Sequence, residues 1–212
     1  MKTVYIVRHG ESEANVSGTY LAAKDSPLTE RGREQARIIA ERCARLPAEV
    51  LIASTLLRAR QTAELISDRI GQPIEWSDLF VEAAKPTGVY GKSGSDAHAK
   101  AVSDAWDLGL FDQGPKIEDG EHFSDVFARA DEALHFLDSR EESHIVLVTH
   151  GLFLRALLAR IFFGEAITGD QFKRFIRSTK TENTGITMIT DEGDLPDMPW
   201  RVSIFNDHSH LG

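Results

Sequence analysis

The chain has little cysteine, no long apolar run and no excess of positive charge. Its single cysteine, Cys43, cannot close an internal disulfide, which fits a reducing compartment. Its place inside a helical pattern marks it as a small packing residue. No stretch approaches the roughly 18 consecutive apolar residues that a membrane span needs, so no membrane partner is expected. The first apolar run starts directly after Met1-Lys2-Thr3, and the expectation is a cytoplasmic protein without a signal peptide. The 33 acidic residues outnumber the 24 basic ones, for a formal charge of −9. A nucleic acid partner needs the opposite balance. A small anion is still compatible, because local charge decides its binding.

What is present is an alternation. Residues 3–8, 50–53, 73–76, 145–149, 185–190 and 201–205 are short apolar or β-branched runs, the pattern of strands covered on one or both faces. Between them lie helical periods: one from the Thr29 cap to Leu46, stopped by Pro47; one from Leu57 to Ile70, ended by Gly71; and one from Glu121 to Leu137 with apolar residues every three or four positions. Strands alternating with helices predict an α/β fold, a three-layer α/β/α sandwich around a mainly parallel central sheet. Residues 1–212 are read as one domain. Residues 83–120, rich in glycine and proline around a helix near 95–108, are read as an inserted lid or specificity segment. The polar tail 206–212 is expected to be loose.

Two of the strand runs end alike. Val4-Tyr5-Ile6-Val7 leads into Arg8-His9-Gly10, and Ile145-Val146-Leu147-Val148-Thr149 leads into His150-Gly151. Both histidines therefore stand where a strand gives way to a helix, the edge of an open α/β sheet where ligands bind. If the strands are neighbours, the histidines face each other across a crevice. Gly10 would let the backbone approach a ligand closely. The strand at 50–53 exits into a helix carrying Arg58 near its N-terminal end, where free N–H groups and the helix dipole favour an anion. Arg8, His9, Arg58 and His150 thus form an oxyanion-binding set: guanidinium forks match phosphate oxygens, and a neutral imidazole can act as a nucleophile.

Five ordered segments carry a family resemblance: Val7-Arg8-His9-Gly10-Glu11, the LTERG-x-x-QA stretch at Leu28 to Ala36, S-x-x-x-R-A-x-QTA at Ser54 to Ala63, GE-x-x-x-D-x-x-x-R at Gly120 to Arg129, and Val148-Thr149-His150-Gly151. Together they resemble the histidine phosphatase superfamily, whose fold is phosphoglycerate mutase-like. The resemblance implies that His9 accepts the phosphoryl group as a phosphohistidine, that Arg8, Arg58 and His150 hold its oxygens, and that Asn15 and Gly151 contribute to the phosphate site. It implies no cofactor and no metal, and a small phosphorylated substrate as the partner. The sequence itself shows no Cys/His or carboxylate cluster at metal-ligand spacing.

An alcohol leaving group needs a proton. Relatives usually supply a glutamate after the third strand, which makes Glu82 the candidate acid and Glu75 the reserve. Mutases of this superfamily carry an ERHYG-like pattern at that glutamate and an asparagine after the second His-Gly; this chain has Glu82-Ala83-Ala84-Lys85 and Leu152. The expectation is a metal-independent phosphomonoesterase. A cofactor-dependent phosphoglycerate mutase-type isomerase and a catalytically silent phospho-ligand-binding protein stay open. Arg60 is read as a surface charge, Glu121 as a helix cap, and Trp76, Trp106 and Trp200 as packing residues. His98, His122, His135 and His144 are tied to no site; the tail residues His208 and His210 could fold over the site, but are read as part of a loose terminus.

Overall fold

The computed structural model describes residues 1–17, 19–20, 26–193 and 199–212. Six strands, β1 (Lys2–Arg8), β3 (Val50–Ser54), β4 (Ile74–Ser77), β6 (His144–Thr149), β7 (Ile186–Asp191) and β8 (Trp200–Asp207), form one sheet in the order β4-β3-β6-β1-β7-β8. The strands β4, β3, β6 and β1 run parallel, β7 is antiparallel to β1, and β8 is antiparallel to β7. A two-residue ribbon pairs β2 (Thr19–Tyr20) with β5 (Lys92–Ser93), joining the segment after the His9 loop to the 83–120 excursion. The helices are α1 (Glu13–Val16), α2 (Glu30–Cys43), α3 (Leu57–Ile70), α4 (Ala97–Leu110), α5 (Phe123–Asp138), α6 (Gly151–Phe163) and α7 (Gly169–Ser178).

Two buried clusters define the three layers. Successive strand residues point to opposite faces, so Val4, Ile6, Ile145 and Leu147 pack with α5 and α6 through residues such as Val126, Ala130, Leu154 and Leu157. Val7, Val146 and Val148 instead meet α2 and α3 through Ile39, Ala59, Ala63 and Ile66. Each buried valine, leucine or isoleucine among them contributes about 1.5–3 kcal/mol. Buried between sheet and neighbours, α6 is apolar nearly all round. The predicted α/β/α sandwich is the observed fold.

The predicted starts and stops also follow local chemistry. The Thr29 side chain accepts from Gly32 N–H at 3.0 Å, a cap that stabilises α2 by about 1 kcal/mol, and Gly71 ends α3 in the left-handed region. The α2 helix stops at Cys43, a turn before Pro47. The tail differs from expectation. Strand β8 runs on to Asp207, which pairs with Arg42, and Ser209–Leu211 form a 3-10 turn that sets His210 against Arg42 and Thr184. Glu121 is likewise no cap, since His122 and Asp125 cap α5. Trp76 is 38% exposed and lies under Arg60, whereas Trp106 and Trp200 are buried.

Candidate active site

Register brings the histidines together. The sheet pairs Arg8 with Thr149 across β1 and β6, and His9 N–H donates to the Thr149 carbonyl at 3.0 Å. His9 and His150 therefore leave adjacent strand ends, with ring centroids 5.0 Å apart. Strand β3 lies on the other side of β6. Its last residue, Ser54, places Oγ 2.7 Å from His150 Nε2, while Arg58, on the first turn of α3, donates from Nε to His9 Nε2 at 3.1 Å. Three neighbouring strand ends thus supply one site, and His9, His150 and Arg58 are 2%, 0% and 6% exposed.

The hydrogen bonds set the protonation of His9. Arg58 Nε can only donate, so His9 Nε2 is an acceptor, and Nδ1 carries the proton and donates to the Gly10 carbonyl at 2.7 Å. Burial, then the charges of Arg58 and Arg8, push the His9 imidazole well below its ordinary value; the Gly10 bond pulls weakly the other way. His150 is pushed down by burial first, then by Arg58, His9 and Arg8. Both rings are neutral near pH 7. Burial also draws the Arg58 and Arg8 guanidiniums down, with Glu82 opposing it in each case. Both stay charged, as arginine does.

Two buried nitrogens, Arg8 Nε and His150 Nδ1, have no hydrogen-bond partner among the described residues. Leaving such groups unpaired is costly, and an oxyanion is the ligand that would complete them. Arg8 donates from Nη1 to the Thr181 carbonyl. It can lie against the start of α6 because Gly151 has no side chain: a Cβ there would stand 3.1 Å from Arg8 Nε and 3.1 Å from Thr181 Oγ1. Gly10 answers to a different neighbour than expected. Its Cβ would come within 2.5 Å of the Gly32 carbonyl oxygen, so the close approach there is to the first turn of α2.

Glu82 closes the site from the 83–120 side. Its carboxylate accepts from Leu152 N–H at 3.1 Å and Phe153 N–H at 2.9 Å, in the first turn of α6 beyond His150. The GE…R motif holds it there. Arg129 donates to the carbonyls of Leu79 and Val81 at 3.0 and 2.8 Å and to both Glu121 oxygens, while Glu121 accepts from Ala84 N–H at 2.8 Å. The backbone on both sides of Glu82 is thereby fixed. The reserve carboxylate, Glu75, is instead paired with Arg140 at 3.0 Å. Asn15 is exposed, and its Oδ1 accepts from Ser12 N–H at 3.0 Å. It reaches the site through Asn183, which donates to Asn15 Oδ1 at 3.4 Å and to the His9 carbonyl at 2.9 Å.

Sequence reasoning missed the segment that brings Asn183. Residues 179–185 pass the end of β1 and the start of α6, with Thr181 on Arg8 and beside Gly151 and Asn183 on His9. The available signal was the polar run Thr179-Lys180-Thr181-Glu182-Asn183-Thr184-Gly185 before an apolar strand. Ser54 and Thr62 were also present only as motif letters; Thr62 Oγ1 accepts from Gly10 N–H at 3.1 Å. Among the described residues, no group of three or more His, Cys, Asp or Glu side chains is placed to hold a metal ion.

Fold and site together define an α/β protein that presents two neutral histidines, a buried arginine and a half-buried one at adjoining strand ends, a class suited to phosphoryl groups. The family model of the histidine phosphatase superfamily (branch 1) matches residues 4–200, and the chain belongs to that superfamily. It is 32% identical over 222 residues to a probable phosphoglycerate mutase GpmB of Enterobacter sp. (strain 638), covering 100% of this chain and 95% of the relative. The structure of Bacillus stearothermophilus YhfR superposes with a TM-score of 0.83 at 28% identity, over the whole of both chains. A mycobacterial glucosyl-3-phosphoglycerate phosphatase solved with VO3 has the same fold, with a TM-score of 0.77 at 23% identity over 98% of this chain and 100% of that one.

Proposed function

We propose that the chain is a metal-independent phosphomonoesterase that hydrolyses a small phosphorylated substrate through a phosphohistidine on His9. The observation that carries this reading is the state of His9: neutral, with its proton tied to the Gly10 carbonyl and its Nε2 lone pair turned to Arg58. An incoming phosphate draws Arg58 onto a phosphoryl oxygen and leaves that lone pair free for in-line attack. The bond from Nε2 to phosphorus forms as the bond from phosphorus to the ester oxygen breaks, and Glu82, acting in its protonated carboxylic acid form, gives the departing oxygen its proton and becomes the carboxylate. Water then attacks the phosphohistidine, returns a proton to Glu82 and releases phosphate.

Charge on the transferring group is met by Arg8, Arg58 and His150. Ser54 Oγ lies 2.7 Å from His150 Nε2; with the Ser54 hydroxyl as donor there, the proton of the neutral ring sits on Nδ1, which has no partner among the described residues and can donate to a phosphoryl oxygen. Gly151 admits the Arg8 guanidinium. Asn15 has its acceptor oxygen occupied by Ser12 and offers a phosphoryl oxygen only its amide N–H groups. Residues 83–120 form the wall around the leaving group.

A second reading, a phosphoglycerate mutase-type isomerase, is favoured by the name of the Enterobacter relative. Leu152, Ala83 and Ala84 stand against it, since they offer no charged or polar side chain to retain a phosphoglycerate carboxylate. Incubation with 3-phosphoglycerate and a bisphosphate primer separates the two. The phosphatase reading expects inorganic phosphate, here or with other members of a phosphoester panel; interconversion of isomers without phosphate release overturns it.

A further inference from the structure

The peptide between His9 and Gly10 is held at both of its polar atoms. Its carbonyl accepts from Asn183 Nδ2 at 2.9 Å, and its N–H donates to Thr62 Oγ1 at 3.1 Å. Thr62 is itself oriented by donating to the Arg58 carbonyl at 2.8 Å. This peptide matters because the next carbonyl, that of Gly10, takes the proton on His9 Nδ1. Displacement of this peptide would shift the Gly10 Cα, carry the Gly10 carbonyl off the ring and weaken the hold on the tautomer, leaving it to Arg58.

Asn183 sits on a turn whose conformation is costly. Thr184, β-branched and fully buried, has φ of +60°, a region such residues rarely adopt and keep only where the surroundings impose it. The surroundings are specific here. Thr184 N–H donates to the Arg8 carbonyl at 2.9 Å, Thr184 Oγ1 donates to the Asn183 carbonyl at 2.7 Å, and Asn206 Oδ1 accepts from Glu182 N–H at 2.7 Å. His210, from the tail, stands 3.3 Å from Thr184 Oγ1. Strain and anchors together present the Asn183 amide to the nucleophile's own backbone.

We infer that Asn183 is a positioning residue which, with Thr62, clamps the His9–Gly10 peptide and so keeps the His9 proton on Nδ1 and the Nε2 lone pair toward the phosphoryl group. The consequence for turnover rests on the reading of His9 as phosphoryl acceptor; the consequence for the tautomer does not. The test measures both, by nitrogen-15 NMR of the imidazoles in the resting protein and by single-turnover formation of the phosphoenzyme from a labelled phosphoester. Asn183→Ala, and Asn183→Asp, which keeps the shape but sets an acceptor against the His9 carbonyl, are expected to mix the two His9 tautomers. Both should slow phosphoenzyme formation about tenfold or more, with inhibition by inorganic phosphate changed less than twofold. Thr62→Val should act in the same direction, and the double variant should lose less than the product of the singles. A pure Nδ1–H tautomer and an unchanged rate in both Asn183 variants overturn the clamp. If the wild type never carries label yet the tautomers mix in the variants, the clamp stands and the phosphatase reading falls.

Discussion

The strand-end site and residues 83–120, which we propose as the wall around the leaving group, are built in opposite ways. At the strand ends, the position of each group follows from the register of buried parallel strands: Arg8 opposite Thr149, His9 N–H on the Thr149 carbonyl, Ser54 on the far side of β6. That segment is made of one short 3-10 turn, a two-residue strand and α4, tied by individual side chains. Lys85 lies 4.0 Å above the Trp106 ring and donates to Ser103 Oγ at 2.9 Å, while the Tyr90 hydroxyl accepts from Lys85 N–H at 3.2 Å. A grip that comes with the sheet suits the invariant phosphoryl group. A wall held by separate contacts can change with the leaving group at little cost to the fold.

This contrast can be broken from the strand-end side. Arg58→Ala removes a guanidinium from the charge of the transferring group and the partner of His9 Nε2; kcat/KM should fall about 10²–10³-fold for every ester tested, measured by phosphate release. Uniform loss across esters is the signature of the grip.

The next effect lies at the seam between the two regions. Arg129→Ala cuts the ties to Leu79, Val81 and Glu121 that fix the backbone around Glu82. We expect a loss of roughly 2–4 kcal/mol in stability, because Glu121 is left largely buried and unpaired, read by chemical denaturation. The kcat should fall about tenfold, and most steeply for esters with poor leaving groups, which depend on the proton from Glu82. A loss equal for good and poor leaving groups would remove Glu82 from that role.

Lys85→Met probes the wall alone. It should shift KM by roughly 1 kcal/mol, about fivefold, for some esters and not others, with inhibition by inorganic phosphate unchanged. A uniform change would erase the distinction between grip and wall.

The smallest effect is in the pH dependence of stability. Folded His9 and His150 are held below the ordinary histidine value, so as pH falls through about 6.5 the unfolded chain takes up protons that the folded chain refuses. Stability should therefore fall in that range and be restored above it. A His9→Asn, His150→Asn double variant should flatten the slope, as followed by denaturation between pH 5 and pH 8.

The same contrast explains what could be read in advance. Strand runs ending in Arg8-His9-Gly10 and Thr149-His150-Gly151 show both the sheet and the pair, because side-chain alternation and strand-end placement are local properties. Contacts made by distant loops are not. Glu121 looked like a cap, since a carboxylate at a helix start usually is one; the fold brings Arg129 and the Ala84 N–H to it instead. The tail looked loose because it is polar, yet Arg42 on α2 captures Asp207 and His210. Helix α7 was legible and overlooked: Thr168 and Gln171 form a capping box. Asn183 and Thr62 were invisible as site residues because they act on backbone atoms of another segment.

The central claim is that His9 Nε2 accepts the phosphoryl group. Rapid quenching after mixing with a labelled phosphoester tests it directly: the wild type should carry an acid-labile, base-stable phosphoryl group that disappears on chase, and His9→Ala should carry none. Hydrolysis by the wild type with no label trapped on the protein, or the same label on His9→Ala, would contradict the account.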